Sequence, residues 1–172
     1  MIAAEPITTP RLTLVPLTAA HAEEMAAVLA DPELYAFTGG GPPTPPELRA
    51  RYERWQAGSP DPATGWCNWA IRLRSADCLT GTVQATISTS GEPVAEIAWV
   101  VGTRWQGQGI ATEAARALVD WLGRQSVRSV VAYIHPAHHA SAAVAAAAGL
   151  TATAESVAGE TRWELRLNDP RA

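Results

Sequence analysis

The stretch of this 172-residue chain best placed to do chemistry is Gln106-Gly107-Gln108-Gly109-Ile110-Ala111. A run of strand character, Glu96-Ile97-Ala98-Trp99-Val100-Val101, precedes it. An amphipathic helix follows, with Ile110, Ala114, Leu118, Trp121 and Leu122 on one face. A glycine-rich turn between a strand and a helix suits an anion. The first helical turn leaves backbone N–H groups free, and the helix dipole adds about half a positive charge there. Glycines let the main chain approach a phosphate with no Cβ in the way. The turn points to a phosphate-bearing cofactor. A Walker loop is excluded because no Gly-Lys-Ser or Gly-Lys-Thr follows. A dinucleotide fingerprint needs a third glycine near Thr112 and an acid about 20 residues on. Thr112 is not glycine, and the neighbourhood of Val127 offers no acid.

The elements that must position this turn are punctuated clearly. A strand over Thr9 to Leu17 leads to Thr18, which can cap a helix carrying Met25, Val28 and Leu29 and ending before Asp31-Pro32. Gly39 to Pro43 is a loop. Thr44-Pro45-Pro46-Glu47 opens a second helix reaching Trp55, with proline in the first turn and a capping box in agreement. Gly58 to Gly65 is a connector. Asn68 to Leu73, Gly81 to Ile87 and Ala95 to Val101 read as an antiparallel meander with turns at Ser75–Asp77 and Ser90–Pro93. Val127 to Ile134 is a fifth strand and Ser141 to Ala148 a short Ala-rich helix. Thr151 to Ala158 and Thr161 to Leu167 close the chain as a hairpin around Gly159. This order is mixed α/β with a mostly antiparallel sheet and one β–α–β crossover, from strand four to strand five.

Gln106, Gly109 and Ala111 match the Gln/Arg-x-x-Gly-x-Gly/Ala signature of the GNAT acyltransferases. Thr9-Pro10-Arg11-Leu12-Thr13-Leu14-Val15-Pro16-Leu17 resembles the Thr-x-Arg-Leu-x-Leu-x-x-Leu opening of the ribosomal-protein N-acetyltransferase (RimJ/RimL-like) branch. Glu96 to Val101 resembles the family's fourth strand, and Thr112-Glu113-Ala114 its usual helix-three start. His135-Pro136-Ala137-His138-His139-Ala140-Ser141 through Gly149-Leu150 resembles the Pro-x-Asn-x-x-Ser…Gly-Phe segment after strand five. The match is collinear over roughly residues 8–168, so a single domain spans residues 1–172. The resemblance implies a seven-stranded, mostly antiparallel sheet with about four helices and a splay between strands four and five. It implies acetyl-CoA as acyl donor, lying in the splay. Trp99, Val100 and Val101 would then pair with its pantetheine arm like an added strand. Gln106, Gly107, Gln108, Gly109, Ile110, Ala111 and Thr112 would hold the pyrophosphate. His138 stands where the family's asparagine bridges CoA and the strand-five backbone.

The implied reaction is attack of a neutral amine on the thioester, which needs a base. Glu96 is the only acid in an otherwise apolar strand, and the family often places a glutamate there to draw a proton through water. A glutamate paired to Arg72 or Arg74 is the competing reading. Glu160 and Glu164, on the closing hairpin, are alternatives. Many relatives carry a tyrosine as proton donor near Ala145, but Ala142 to Ala148 lacks any hydroxyl. Ser141 is the remaining hydroxyl near the expected sulfur, unless it is a plain helix cap. Tyr133 sits where some relatives carry a catalytic glutamate, or else faces the core. Arg104 and Arg116 are candidate phosphate cations, with Arg116 otherwise solvated. Trp66 and Trp69 line the acceptor cleft or fill core. His135, His138 and His139 have no convergent Asp or Cys, so no metal is expected.

A chain of this length with 47% hydrophobic residues can bury a sizeable core, and it holds no apolar run near 18 residues. Met1 to Pro6 lacks the regions of a signal peptide. Cys67 and Cys78 have no metal-ligand spacing and read as reduced thiols in the cytoplasm. A formal charge of −4 argues against nucleic acid or an anionic membrane as partner. The acceptor is an amine, of a peptide N-terminus or a small molecule, and a homodimer is admissible. A catalytically weak acyl-CoA-binding or regulatory domain is the alternative function. A nucleotide-dependent oxidoreductase is disfavoured by the turn.

Overall fold

A proline and a threonine hydroxyl decide how the chain enters its sheet. In the computed structural model, which describes residues 2–167, the strand expected from Thr9 onward divides into β1 (Ile7–Thr8) and β2 (Leu12–Pro16). Pro10 has no N–H to donate to a ladder. Thr9 turns the chain instead, its N–H donating to the Leu12 carbonyl at 2.9 Å and its Oγ1 accepting from the Leu12 N–H at 3.0 Å. This break gives the sheet eight strands where seven were expected. The expected far limit of the domain, Asn168, lies outside the described residues.

The meander is β3 (Thr64–Leu73), β4 (Cys78–Ser88) and β5 (Val94–Val101). β3 begins four residues earlier than expected, because Thr64, Gly65, Trp66 and Cys67 pair in turn with Ser88, Ile87, Thr86 and Ala85 of β4 in place of joining the connector. The chain then crosses through α3 (Ile110–Gly123) to β6 (Ser129–Ile134) and ends in the hairpin of β7 (Thr151–Val157) and β8 (Glu160–Arg166). The sheet order is β1-β2-β3-β4-β5-β6-β8-β7, with β5 and β6 parallel and the other neighbours antiparallel.

Helices cover the two faces unequally. α1 (Ala22–Val28) and α2 (Pro45–Ala57) pack through Met25, Leu48 and Tyr52 against Ala70 and Leu79. Thr44 caps α2 as expected, its Oγ1 accepting from the Glu47 N–H at 3.3 Å. α3 and α4 (His139–Ala147) take the other face, where Leu118, Trp121 and Leu122 meet Trp69, Ile71 and Ile97. Successive strand residues point to opposite faces, which is why Ala70 belongs to one cluster and Trp69 and Ile71 to the other. α1 and α2 leave part of their face bare, where Trp66 and Glu96 are exposed. No helix among the described residues is long and apolar enough to cross a membrane.

The same alternation separates two tryptophans. Trp69 is fully buried, edge-on to Trp121 at 5.1 Å, with its Nε1 donating to the Glu5 carbonyl at 2.8 Å. Trp66, three residues earlier, is on the bare face and 36% exposed. Trp69→Ala is expected to lower unfolding free energy by about 3–5 kcal/mol in a urea titration. Trp66→Ala is expected to stay within about 0.5 kcal/mol of wild type.

Candidate active site

The parallel pair at the centre of the sheet is short. β5 and β6 are in register at Val94↔Ser129, Ala95↔Val130 and Glu96↔Val131, and there the pairing stops. β5 runs on to Val101 and β6 to Ile134 without meeting, so the strands part beyond Glu96. Trp99, Val100 and Val101 border this gap. Their side chains alternate between the α3 face, where Trp99 and Val101 pack, and the α1/α2 face, where Val100 packs.

At the open end of β5 the chain makes one 3-10 turn, Thr103–Trp105, and enters the glycine-rich turn. Gln106 is used by the turn itself. Its side-chain Nε2 donates to the Val101 carbonyl at 3.0 Å and its backbone N–H to Thr103. Gly107 (φ +75°) and Gly109 (φ +78°) then take left-handed conformations that side chains rarely adopt. Gly109 is the N-cap of α3 and no side chain caps the helix, so the first N–H groups, from Ile110 to Thr112, open outward. Gln108 turns its carbonyl toward β2, where the Arg11 Nη1 donates to it at 2.8 Å. Of the two candidate phosphate cations, Arg104 lies over the Trp105 ring at 4.8 Å. Arg116 is exposed on the polar face of α3, as expected, with its Nε donating to the Ala147 carbonyl of α4 at 2.9 Å.

Glu96 is exposed at the last paired position before the gap. The competing partners are occupied elsewhere: Arg72 pairs with Asp77 at 3.1 Å, and Arg74 donates to the carbonyls of Thr9, Pro10 and Leu12. The Glu96 carboxylate has no hydrogen-bond or ion-pair partner among the described residues. The strand register puts it in a lateral row with Trp66, Thr86, Val131 and Glu164. α1 and α2 leave this row uncovered at Trp66 and Glu96, while Val131 within it is buried. Tyr133 and Arg162 form the next pair on the same face, so Tyr133 is half-buried there and does not enter the α3-side core. Arg162 is shared between Glu155 at 2.8 Å and Glu164 at 3.7 Å. Glu160 lies farther out, beside the Gly159 turn.

Across the gap, α4 starts two residues earlier than expected, and its cap is His138 rather than Ser141. The His138 Nδ1 accepts from the Ser141 N–H at 3.4 Å, and Nε2 meets the Ser141 Oγ at 3.1 Å. Both ring nitrogens therefore face Ser141. The bridge to the strand-five backbone that an asparagine would supply is absent here among the described residues. Phe37, from the loop before α2, stacks on the His138 ring with centroids 4.6 Å apart and leans on His135 at 5.1 Å. Partial burial, with His135 and His139 close by, pushes the His138 pKa below the ordinary 6.5.

Two contacts escaped the sequence. Phe37 carries no local signal, since a single aromatic in a polar loop has no periodicity. The Thr9–Arg11–Glu113 contact had one: an acid in the first turn of a helix expected to hold an anion calls for a cation beside it. Burial alone would raise the Glu113 carboxyl. The Thr9 hydroxyl and the Arg11 side chain and N–H reverse that and hold it below the usual carboxylate range.

The acetyltransferase (GNAT) domain family matches residues 11–151 of the chain. Among solved structures, the ribosomal-protein-S5-alanine acetyltransferase of Vibrio fischeri superimposes with a TM-score of 0.80 at 15% identity, over 96% of this chain and 98% of its own. RimL, a ribosomal L7/L12 alpha-N-protein acetyltransferase in complex with coenzyme A, gives 0.77 at 18% over 95% and 98%. The microcin C7 self-immunity acetyltransferase MccE, in complex with acetyl-CoA and AMP, gives 0.76 at 17% over 92% and 94%. No curated protein matches the chain significantly.

The histidines make stability depend on pH. His138 and His21 both titrate below the ordinary value in the folded chain, His21 through burial and then the nearby Arg72. The unfolded chain thus binds protons first on acidification. Stability from these groups is complete above about 6.5 and is lost as pH falls through the lowered folded values. The melting temperature is expected to drop across that window, less so in His138→Asn, and an NMR titration should place the His138 midpoint below 6.5.

Proposed function

The chain belongs to the GNAT acetyltransferase family, and from that premise we propose that it transfers the acetyl group of acetyl-CoA to a primary amine, of a peptide N-terminus or a small molecule. The observation that carries this reading is the parting of β5 and β6 directly after Glu96, with the anion-binding turn at the open end of the same strand. The residues present fit the donor. Gly107, Gln108, Gly109, Ile110, Ala111 and Thr112 form a turn of left-handed glycines and outward N–H groups, suited to a pyrophosphate. The unpaired edge from Trp99 to Val101 suits an extended pantetheine arm.

When bound, acetyl-CoA supplies an acyl group activated as a thioester. A backbone N–H of the Trp99–Val101 edge donates to the carbonyl oxygen, whose charge grows during attack. Amines arrive protonated, with pKa values of about 8 for an α-amino group and about 10.4 for lysine. Glu96, unpaired and exposed at the mouth of the gap, takes that proton through water. The Ser141 Oγ, held by His138, donates toward the sulfur. Both cysteines are free, which supports a cytoplasmic setting. The stretch Ala142–Ala148, without a tyrosine, favours the second reading, a catalytically weak acyl-CoA-binding domain.

Release of free CoA with a panel of amines, including short N-terminal peptides, separates the two readings. Turnover supports the enzyme, and binding without turnover supports the weak domain. Glu96→Gln is expected to lower kcat by roughly 10²–10⁴-fold with little change in acetyl-CoA affinity. Full activity in that variant would hand the base to Glu160 or Glu164.

Among the described residues the bare face carries Glu96, Glu164 and Glu155 beside Arg162, while Arg166 at its edge is paired with Glu92. Cationic amines are expected to be acetylated faster than acidic ones, and the advantage should shrink in high salt. Competition kinetics at two ionic strengths measure this, and a preference for acidic acceptors would refute the charge assignment.

A further inference from the structure

The donor turn holds a charge conflict whose resolution assigns a role to a residue outside it. Glu113 places a carboxylate in the first turn of α3, where a bound phosphate would be repelled. Every close contact of that carboxylate is with the β1–β2 turn. Oε2 accepts from the Thr9 Oγ1 at 2.5 Å and from the Arg11 N–H at 3.0 Å, and Oε1 accepts from the Arg11 Nε at 2.7 Å. The guanidinium so fixed reaches the glycine-rich turn with its other arm. Nη1 donates to the Gln108 carbonyl at 2.8 Å, and Nη2 lies 3.3 Å from the point a Cβ on Gly109 would occupy.

We propose that Arg11 is a positioning residue for the acyl donor, orienting the Gln108–Gly109 peptide so that the turn selects donors that carry phosphate. The proposal rests on the acetyl-CoA reading above and adds a residue that acts through the turn. A peptide unit is planar and trans, so its C=O and N–H point to opposite sides. With the Gln108 carbonyl drawn toward Arg11, the Gly109 N–H points away from β2. The same guanidinium neutralises Glu113, leaving the helix dipole free to favour an anion. Arg74 makes the arrangement rigid from behind, its Nη2 donating to the Thr9 and Pro10 carbonyls at 2.6 Å each and its Nη1 to Leu12. A lysine would keep the charge but lacks the planar fork that joins Glu113 to Gln108 at once.

Calorimetry of CoA and of pantetheine, which shares the arm but has no phosphate, tests this without relying on turnover. Arg11→Gln and Arg11→Lys are each expected to weaken CoA about tenfold or more while leaving pantetheine affinity unchanged. The KM for acetyl-CoA should rise in parallel. Arg74→Gln, which keeps Arg11 and Glu113 but removes the brace behind the β1–β2 turn, should weaken CoA in the same selective way and serves if an Arg11 variant fails to fold. Unchanged CoA affinity in a folded Arg11→Gln, or equal weakening of CoA and pantetheine, overturns the proposal. Full wild-type affinity in Arg11→Lys overturns it too, since charge alone would then suffice. A wild type that binds CoA no better than pantetheine fails differently: it removes the phosphate-bearing donor, and the positioning role with it.

Discussion

Two parallel strands that stop pairing halfway along their length are the constraint on which the molecule depends. Backbone N–H and C=O groups removed from water without partners cost free energy, so a sheet does not open at its centre unless something else occupies those groups. β5 and β6 hold together for three register pairs and then separate. The Gln106 side chain takes the carbonyl of Val101, the last residue of β5. On the far side, β6 leads into the cap of α4 and the rings of His135 and His138, against which Phe37 rests. The edges between those closures are left for an extended ligand.

Much of the architecture follows from that opening. The crossover helix α3 must start where β5 ends, which brings its unsatisfied N–H groups and positive dipole end to the open end of the gap. Glu96, at the last paired position, stands where the strands begin to part. The incomplete cover of α1 and α2 gives Glu96 access to solvent. These helices bury Ala70, Leu79 and Val100 and stop short of the row through Trp66, Thr86 and Glu164. The donor gap and the bare face thus meet at one carboxylate.

The charges are arranged with the same economy. The glycine-rich turn has an acid in the helix it opens, and the first hairpin of the chain reaches across to neutralise it with Arg11, itself steadied by Arg74. An ion pair between exposed groups adds little stability. This one is useful for direction, because it fixes which way the turn's carbonyl points.

Local chemistry determined a large part of this in advance. The 3.6-residue apolar period named α3, the Thr-x-x-Glu box started α2, and the glycines around Gln108 marked the tight turn before α3, since each depends on residues within a few positions of one another. The fate of long-range partners was not written there. Pro10 signals a break, but the second strand it creates appears only when Ile7 finds Leu14. Trp66 and Trp69 are alike as residues, and strand parity with helix coverage sends one to the surface and the other to the core. Gln106 turns inward, His138 turns to Ser141, and Glu96 is free because Arg72 and Arg74 have nearer partners. A hydrogen bond or ion pair goes to whichever group folding brings within about 3 Å. The sequence alone therefore determined the kinds of element and of chemistry, and the tertiary structure decided which side chains were left unpaired to carry that chemistry out.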